Sequence, residues 1–458
     1  MAEVKEVWNK LVAGAVDALA VSLDGGLVLA ATSDGKLHLF DRQGNALWSL
    51  PTDSQIAALD ISSTADQIAV GLKSGSVLFL DKAGHLAWRH DAKEPVLGLS
   101  LSHNGKYLIV GTAGGSIQFL NHFGKLLWTR KARAAVHSVA LSSSANYAAA
   151  GSDDSSIYFL DNYTTNMSGK VAWSIPAKGK VNEVAISADG FYIAAASSDA
   201  MVHYLDKLGK LYWSHRVENT VASLTMSSSG DYMLIGAEGG AHPGQVCLFH
   251  RNEGLMWRYI TGQATVGSVD ISSTGAFMAA GSQQEEVYLF HRNQKLVWKQ
   301  KVEGFADAVA ISSDGLFTAA GTRKGAMYLF DNTPVVEELK ARTQDEAELE
   351  VGLFRPMRAP APAFEEEPGT AAAPQAPAPA AAAAQPSRTG ALETIVDACL
   401  LVVLGLIAGV VYFMYHKDIG LEQGLVILVL LLVMMGFLAY LFYTYVILKP
   451  KKKQPSFY

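Results

Sequence analysis

All eight tryptophans of the chain recur at one period, and this repeat is the strongest constraint on the fold. Successive tryptophans are separated by 40, 40, 40, 45, 40, 44 and 41 residues. They are Trp8, Trp48, Trp88, Trp128, Trp173, Trp213, Trp257 and Trp298. A lone tryptophan is usually a core residue, whereas eight at one period indicate an internal structural repeat.

Each repeat contains three short apolar runs before the next tryptophan segment. In the last repeat these runs are residues 308–311, 317–321 and 326–331. The runs are too short for helices, and the Ser-x-Asp/Asn-Gly sequences between them, such as residues 22–25, are typical of hairpin turns. Because the tryptophan segment adds a fourth strand, each repeat predicts one propeller blade.

The first and last repeats are incomplete in complementary ways. The last three-strand unit ends at Asp331 with no tryptophan strand after it, while the segment Glu6-Val7-Trp8 has no unit before it. Pairing these two halves would close a ring and leave no open sheet edge. We therefore predict an all-β, eight-bladed β-propeller over residues 1–333, closed by the N-terminal strand.

The units end in a recurring Asp-x-x-Gly-x-x-x-Trp pattern, seen at Asp41, Gly44 and Trp48. The strand-ending aspartates are Asp41, Asp81, Asp161, Asp206 and Asp331. The pattern resembles the repeat of PQQ-like propellers, of the quinoprotein-dehydrogenase and outer-membrane-assembly lipoprotein type. This resemblance implies that the tryptophan docks between blades and that the aspartate and glycine shape the turn. Residues 321–331 also look like WD repeats, although the Gly-His and Trp-Asp dipeptides are missing.

Beyond residue 333 the composition predicts a tether followed by a membrane hairpin. Residues 334–355 are expected to form a short acidic helix or linker, and the Pro/Ala-rich residues 356–390 a disordered, semi-stiff tether. The remaining segments are two apolar transmembrane helices at 391–416 and 424–448, the turn 417–423 between them, and a basic tail at 449–458.

The positive charges around the apolar segments predict a topology. Lys449, Lys451, Lys452 and Lys453 flank the second segment, against Lys417 alone in the turn. The positive-inside rule then places the propeller and both termini in the cytoplasm, as does the lack of a secretory signal at the start of the sequence. We expect a multi-pass cell-membrane protein.

Two glycines in the first apolar segment could allow close helix packing. Gly405 and Gly409 form a small-xxx-small motif. The motif could serve a partner's helix or the second helix of the same hairpin, and the sequence favours neither.

No catalytic, cofactor-binding or metal-binding residue is predicted. The net charge of −6 argues against nucleic acid as a partner. The resemblance to PQQ-binding enzymes would imply two adjacent cysteines, but Cys247 and Cys399 are far apart. The innermost strands, such as residues 137–141, are mostly aliphatic and small.

These observations favour a non-enzymatic, membrane-anchored scaffold that binds protein partners, or an integral-membrane complex, on the propeller rims. The enlarged repeats at 162–169 and 238–244 are the first candidate contact loops, with neutral length variation as the alternative. The rival hypothesis is a ligand-sensing or quinoprotein-type enzymatic propeller that uses the central channel.

Overall fold

The computed structural model describes residues 4–163, 167–240, 242–293 and 295–339. Within these residues 32 strands form eight four-stranded antiparallel sheets, so the predicted eight-bladed β-propeller is confirmed. We name the strands of each blade A to D from the axis outward. The A–B and C–D turns lie on one face, the A–B face, and the B–C turns and D–A connections lie on the opposite, B–C face.

The first four blades follow the chain order. Blade 1 is β2 (Val16–Val21), β3 (Leu27–Thr32), β4 (Lys36–Asp41) and β5 (Ala46–Pro51). Blade 2 is β6 (Ile56–Ile61), β7 (Gln67–Leu72), β8 (Ser76–Asp81) and β9 (Leu86–Asp91). Blade 3 is β10 (Val96–Leu101), β11 (Tyr107–Thr112), β12 (Ser116–Asn121) and β13 (Leu126–Lys131). Blade 4 is β14 (Val136–Leu141), β15 (Tyr147–Ser152), β16 (Ser156–Asp161) and β17 (Lys170–Pro176).

The last four blades continue the ring, and the eighth borrows its outer strand from the start of the chain. Blade 5 is β18 (Val181–Ile186), β19 (Tyr192–Ser197), β20 (Met201–Asp206) and β21 (Leu211–Arg216). Blade 6 is β22 (Val221–Met226), β23 (Tyr232–Ala237), β24 (Gly244–His250) and β25 (Gly254–Gly262). Blade 7 is β26 (Val266–Ile271), β27 (Phe277–Ser282), β28 (Glu286–His291) and β29 (Lys295–Lys301). Blade 8 is β30 (Ala306–Ile311), β31 (Phe317–Thr322), β32 (Ala326–Asp331) and β1 (Lys5–Leu11).

The ring closes in blade 8 as expected. Strand β1 pairs antiparallel with β32, from Lys5 opposite Asp331 to Leu11 opposite Ala326. Each inner strand contacts the inner strand of the next blade, including β30 with β2. The eight inner strands therefore surround a central channel.

The core lies between blades rather than within them. The B strands are buried over nearly their whole length because both of their faces meet a neighbouring sheet. Leu29 of blade 1 and Ile68 of blade 2, for example, share one fully buried cluster. Burial of this kind supplies most of the stability of a propeller.

A short helix, α1 (333–339), follows blade 8. The Asp331 carboxylate accepts the backbone N–H of Thr333, and the buried side chains of Val335 and Val336 pack on the last blades. The rest of the predicted 334–355 segment lies outside the described residues.

The predicted tether at 356–390, the apolar segments 391–416 and 424–448, the turn between them and the basic tail also lie outside the described residues. The same holds for Gly405, Gly409 and the four tail lysines. Among the helices that the structure describes, none is both long and apolar enough to cross a membrane.

Candidate functional site

The eight tryptophans lie at the junctions between blades. Each indole N–H donates to the C–D turn of the next blade, or to the segment after β32 in the case of Trp298. Six donate to backbone carbonyls: Trp8 to Arg42 (3.2 Å), Trp48 to Lys82 (2.9 Å), Trp88 to His122 (2.8 Å), Trp173 to Lys207 (2.9 Å), Trp213 to Arg251 (2.8 Å) and Trp257 to Arg292 (2.7 Å). These side chains connect the blades and are structural.

The aspartate and glycine of the repeat build the turn that receives the tryptophan. Asp41 accepts the backbone N–H groups of Gln43 and Asn45, and hydrogen bonds from the Asn45 side chain and backbone lower the pKa of this carboxyl. Gly44 has φ +82°, and a Cβ there would lie 2.7 Å from Cγ of Trp8. Only glycine fits this turn without displacing the indole.

The other strand-ending aspartates occupy the same position in their blades. Asp81 and Asp206 each accept two backbone N–H groups of their own turns. Asp161 and Asp331 end strands β16 and β32. There the enlarged loop 162–169 and helix α1 follow instead of the usual C–D turn.

Two buried asparagines replace the usual turn at those two places. Trp128 donates to Oδ1 of Asn162 (3.1 Å), and Trp298 donates to Oδ1 of Asn332 (3.0 Å). Both amides are fully buried and also donate to the backbone. Sequence reasoning missed them, although each asparagine directly follows a strand-ending aspartate.

The two enlarged repeats lie on opposite faces, and side chains from outside each loop hold both in place. On the B–C face, Nδ2 of Asn219 donates to the carbonyls of Glu238 (2.7 Å), His242 (3.1 Å) and Pro243 (3.1 Å). On the A–B face, Arg130 donates to the carbonyls of Gly169 (2.9 Å) and Ser168 (2.6 Å). The described parts of both loops are therefore ordered projections rather than free tips.

The charges of the A–B face cancel in part, because basic C–D turns and acidic A–B turns lie side by side on it. Three ion pairs join the two kinds of turn: Arg42 with Asp24 (4.0 Å), Lys82 with Asp66 (3.2 Å) and Arg251 with Asp231 (3.2 Å). Lys207 instead lies over the ring of Phe191, 3.6 Å from its centre. This face is a mixed polar surface rather than a basic field.

The central channel differs from the sequence-based expectation of a small, aliphatic lining. Besides Asp17 and Asp307, each the second residue of its strand, three carboxyl groups lie on inner strands: Asp60 in blade 2, Glu183 in blade 5 and Asp270 in blade 7. Each is surrounded by protein yet reachable from the channel. Burial raises the pKa of Asp60 and Asp270 to about 6, and that of Glu183 to about 7.

Asp60 and Asp270 occupy the same position of the repeat and make the same contacts. Asp60 Oδ2 accepts the backbone N–H of Leu101, and Asp270 Oδ2 accepts that of Ile311, both at 2.8 Å. Each carboxylate thus binds the inner strand of the next blade. In the sequence, both sites could have been recognised as an acidic residue between two apolar residues, at the same position of two repeats.

A ring of backbone hydrogen bonds surrounds the A–B mouth of the channel. We call it the turn girdle. It comprises the bonds from Ser63 to His103, His103 to Ser143, Ser143 to Ala188, Ala188 to Ser228, Ser228 to Ser273, Ser273 to Ser313 and Ser313 to Leu23, at 2.9 to 3.2 Å. Among the described residues the eighth bond, from Leu23 N to Ser63 O, is not formed. The girdle is open between blades 1 and 2.

No cluster of three or more His, Cys, Asp or Glu side chains that could hold a metal ion occurs in the part of the chain that the structure describes. The channel carboxyl groups of Asp60, Glu183 and Asp270 belong to different blades.

Comparison with known proteins supports the class that this fold defines. Residues 33–163, from the B–C turn of blade 1 to the end of β16, match the family model described as outer membrane protein assembly factor BamB. The tryptophan junctions, the eight blades and this match over residues 33–163 support a PQQ-like β-propeller.

A solved structure shares the fold. A crystal structure of the computationally designed Ika8 protein is 17% identical, covers 70% of this chain and 98% of its own, and has a TM-score of 0.59. At this identity the likeness concerns the fold alone. No curated protein matches the chain.

Proposed function

We propose that this protein is a membrane-anchored scaffold whose propeller recruits partner proteins at the membrane. The observation that carries the proposal is the pair of enlarged loops, which interrupt a regular repeat and are held in fixed positions by Asn219 and Arg130. Ordered projections on a rigid ring suit the recognition of another protein surface because little conformational entropy is lost on binding.

Exposed apolar side chains add to this support. On the A–B face and outer rim of blades 3 to 5, Phe123 is 75% exposed and Leu208 is 81% exposed. The family description of the matching model, an assembly factor for outer membrane proteins, agrees with a role in protein assembly.

The loops can be tested by exchange with a turn of ordinary length. Residues 238–244 are replaced by Lys-Ser-Gly, the B–C turn of blade 2, in the full-length protein purified in mild detergent. Proteins that co-purify with the wild type should be lost. The matched control replaces residues 73–75 by Asp-Asp-Ser, the turn of blade 4, and should retain them. A chain that purifies alone, or keeps every partner after the exchange, would contradict the proposal.

The membrane anchor in this proposal is the pair of apolar segments, and the four tail lysines orient it with the propeller in the cytoplasm. Protease added to sealed inside-out vesicles should release the propeller, whereas protease added to intact cells should not. The reverse pattern would overturn the topology and leave the scaffold role to be judged by the loop exchange.

A second candidate function is ligand sensing in the central channel. The carboxyl groups of Asp60, Glu183 and Asp270 favour it because ionisable groups with raised pKa values are common in binding sites.

A further inference from the structure

A cavity of about 210 Å³ opens at the A–B mouth of the channel, against blades 1 to 4. Its walls include the apolar residues Val21, Ile61, Leu101 and Leu141, and the Asp60 carboxyl group also lines it. The cavity lies where the turn girdle is open, since Leu23 and Ser63 line it as well.

Asp60 has no positive partner among the residues that the structure describes. Its oxygens accept the backbone N–H groups of Ile61 and Leu101, both at 2.8 Å, and no basic side chain contributes to its pKa. With a pKa of about 6 the group is mainly ionised at neutral pH. A carboxylate surrounded by protein without a counter-ion is costly, so the charge calls for an explanation other than stability.

The contact with the next blade does not require a charge. Ser100 occupies the position of Asp60 in blade 3, and its hydroxyl accepts the backbone N–H of Leu141 at 3.3 Å. A serine therefore makes the equivalent contact without a buried charge. The negative charge of Asp60 is therefore not needed for this contact and is available to bind a ligand.

The open girdle adds a second acceptor beside this carboxylate. At the other junctions the backbone carbonyl at this turn position accepts an N–H from the preceding blade, but the Ser63 carbonyl has no such donor among the described residues. A carboxylate and a free carbonyl on one small cavity suit a group that carries several N–H donors. The lining is mixed, with Ser62, His103 and Ser143 beside the apolar side chains of Ile61, Leu101 and Leu141, which offer contacts to a short aliphatic stem.

We propose that this cavity binds a primary ammonium group on an unbranched alkyl stem. The ammonium donates to the Asp60 carboxylate and the Ser63 carbonyl, and the stem packs on Ile61, Leu101 and Leu141. Glu183 and Asp270 add negative potential along the same channel, which favours a cation. The group could belong to a free alkylamine or polyamine, or to a lysine side chain of a partner protein.

Binding is tested on the full-length protein in detergent by isothermal titration calorimetry. The probes are butylamine, spermidine and Nα-acetyl-lysine methylamide, with butanol as an uncharged match for the stem. We expect the amines to bind and butanol not to bind. Binding of butylamine or spermidine with exclusion of the lysine derivative assigns the site to free amines, and binding of the lysine derivative assigns it to a partner's lysine.

Two variants separate the charge of Asp60 from its structural contact. Asp60→Asn keeps the size of the side chain, and Asp60→Ser installs the blade 3 residue, so at least one of them should fold. Each should weaken amine binding by about tenfold or more, since a charge-assisted hydrogen bond is lost. Glu253→Gln removes an equal charge from an exposed C–D turn and should leave binding unchanged.

Equal amine binding by the wild type and a folded Asp60 variant, or no binding of any amine, would overturn this site. Neither result bears on the scaffold proposal, whose readout is the set of co-purifying proteins.

Discussion

Two junctions of the ring are built in opposite ways. Blade 8 joins the first and last strands of the propeller and is held by the β1–β32 pairing, the indole of Trp8 and the buried amide of Asn332. Blades 1 and 2 are consecutive in the chain, yet their junction lacks the girdle bond. It also has Ala18 and Ala20 at two inner-strand positions where four of the other seven blades carry a serine, threonine or acidic residue.

The difference follows from chain connectivity. A short connection between blades 1 and 2 keeps them near one another at a small entropic cost, so this junction tolerates fewer contacts at the channel. Strands β1 and β32 have no such connection, so their pairing within blade 8 must be held by non-covalent contacts alone. The weakest inner contact of the ring is therefore found away from the point where the ring closes.

Removal of the closing strand β1 should cause the largest loss of stability. Deletion of residues 1–11 takes away β1 and Trp8, so β32 becomes an open edge and the junction with blade 1 loses its indole. We expect a loss of stability of more than about 3 kcal/mol, with aggregation on heating. Circular dichroism melting measures it, and Lys10→Ala in an otherwise intact β1 is the control. An unchanged melting curve would show that the closure contributes little.

Single tryptophan substitutions compare the two junctions directly. Trp8 is 6% exposed and belongs to the buried cluster between blades 8 and 1, whereas Trp48 is only partly buried between blades 1 and 2. Trp8→Ala should cost about 3–5 kcal/mol and Trp48→Ala about 2 kcal/mol. Guanidinium denaturation gives both values. Equal losses of unfolding free energy in the two variants would mean that the two tryptophans contribute equally to their junctions.

The sequence predicts the closed junction far better than the open one. The period of the tryptophans and the unpaired Glu6-Val7-Trp8 segment are enough to predict the blade number and the closing strand. The open girdle has no such signal, because Ser22-Leu23-Asp24-Gly25 has the same turn pattern as Ser102-His103-Asn104-Gly105. Asp60 could be read from the sequence as an acid among apolar residues, but its cavity depends on how four blades meet.

The pH dependence of stability should report on both Asp60 and Asp270. Burial raises both pKa values from 3.8 to about 6, so the folded chain binds these protons more tightly than the unfolded chain. The stabilising contribution is complete below 3.8 and is lost as the pH rises through 6. Asp60→Asn and Asp270→Asn should each flatten this loss in urea denaturation between pH 4 and 7.

We expect similar flattening from both variants, because burial raises the two pKa values alike. Both changes should be smaller than that of either tryptophan substitution. A loss of stability with pH that is equally steep in the wild type and both variants would show that neither carboxyl group is coupled to folding.

The smallest expected effect is a gain in stability from one new hydrogen bond at the junction of blades 1 and 2. Ser138, Ser223 and Ser268 occupy the position of Ala18 in their own blades, and each hydroxyl accepts a backbone N–H of the next inner strand. Ala18→Ser should supply the same contact to Leu59 and stabilise the protein by about 0.5–1 kcal/mol. Ser138→Ala removes a contact of this kind and should cost a similar amount. If urea denaturation shows that Ala18→Ser destabilises the chain while Ser138→Ala behaves as expected, blades 1 and 2 stand too far apart at the channel for a side chain to join them.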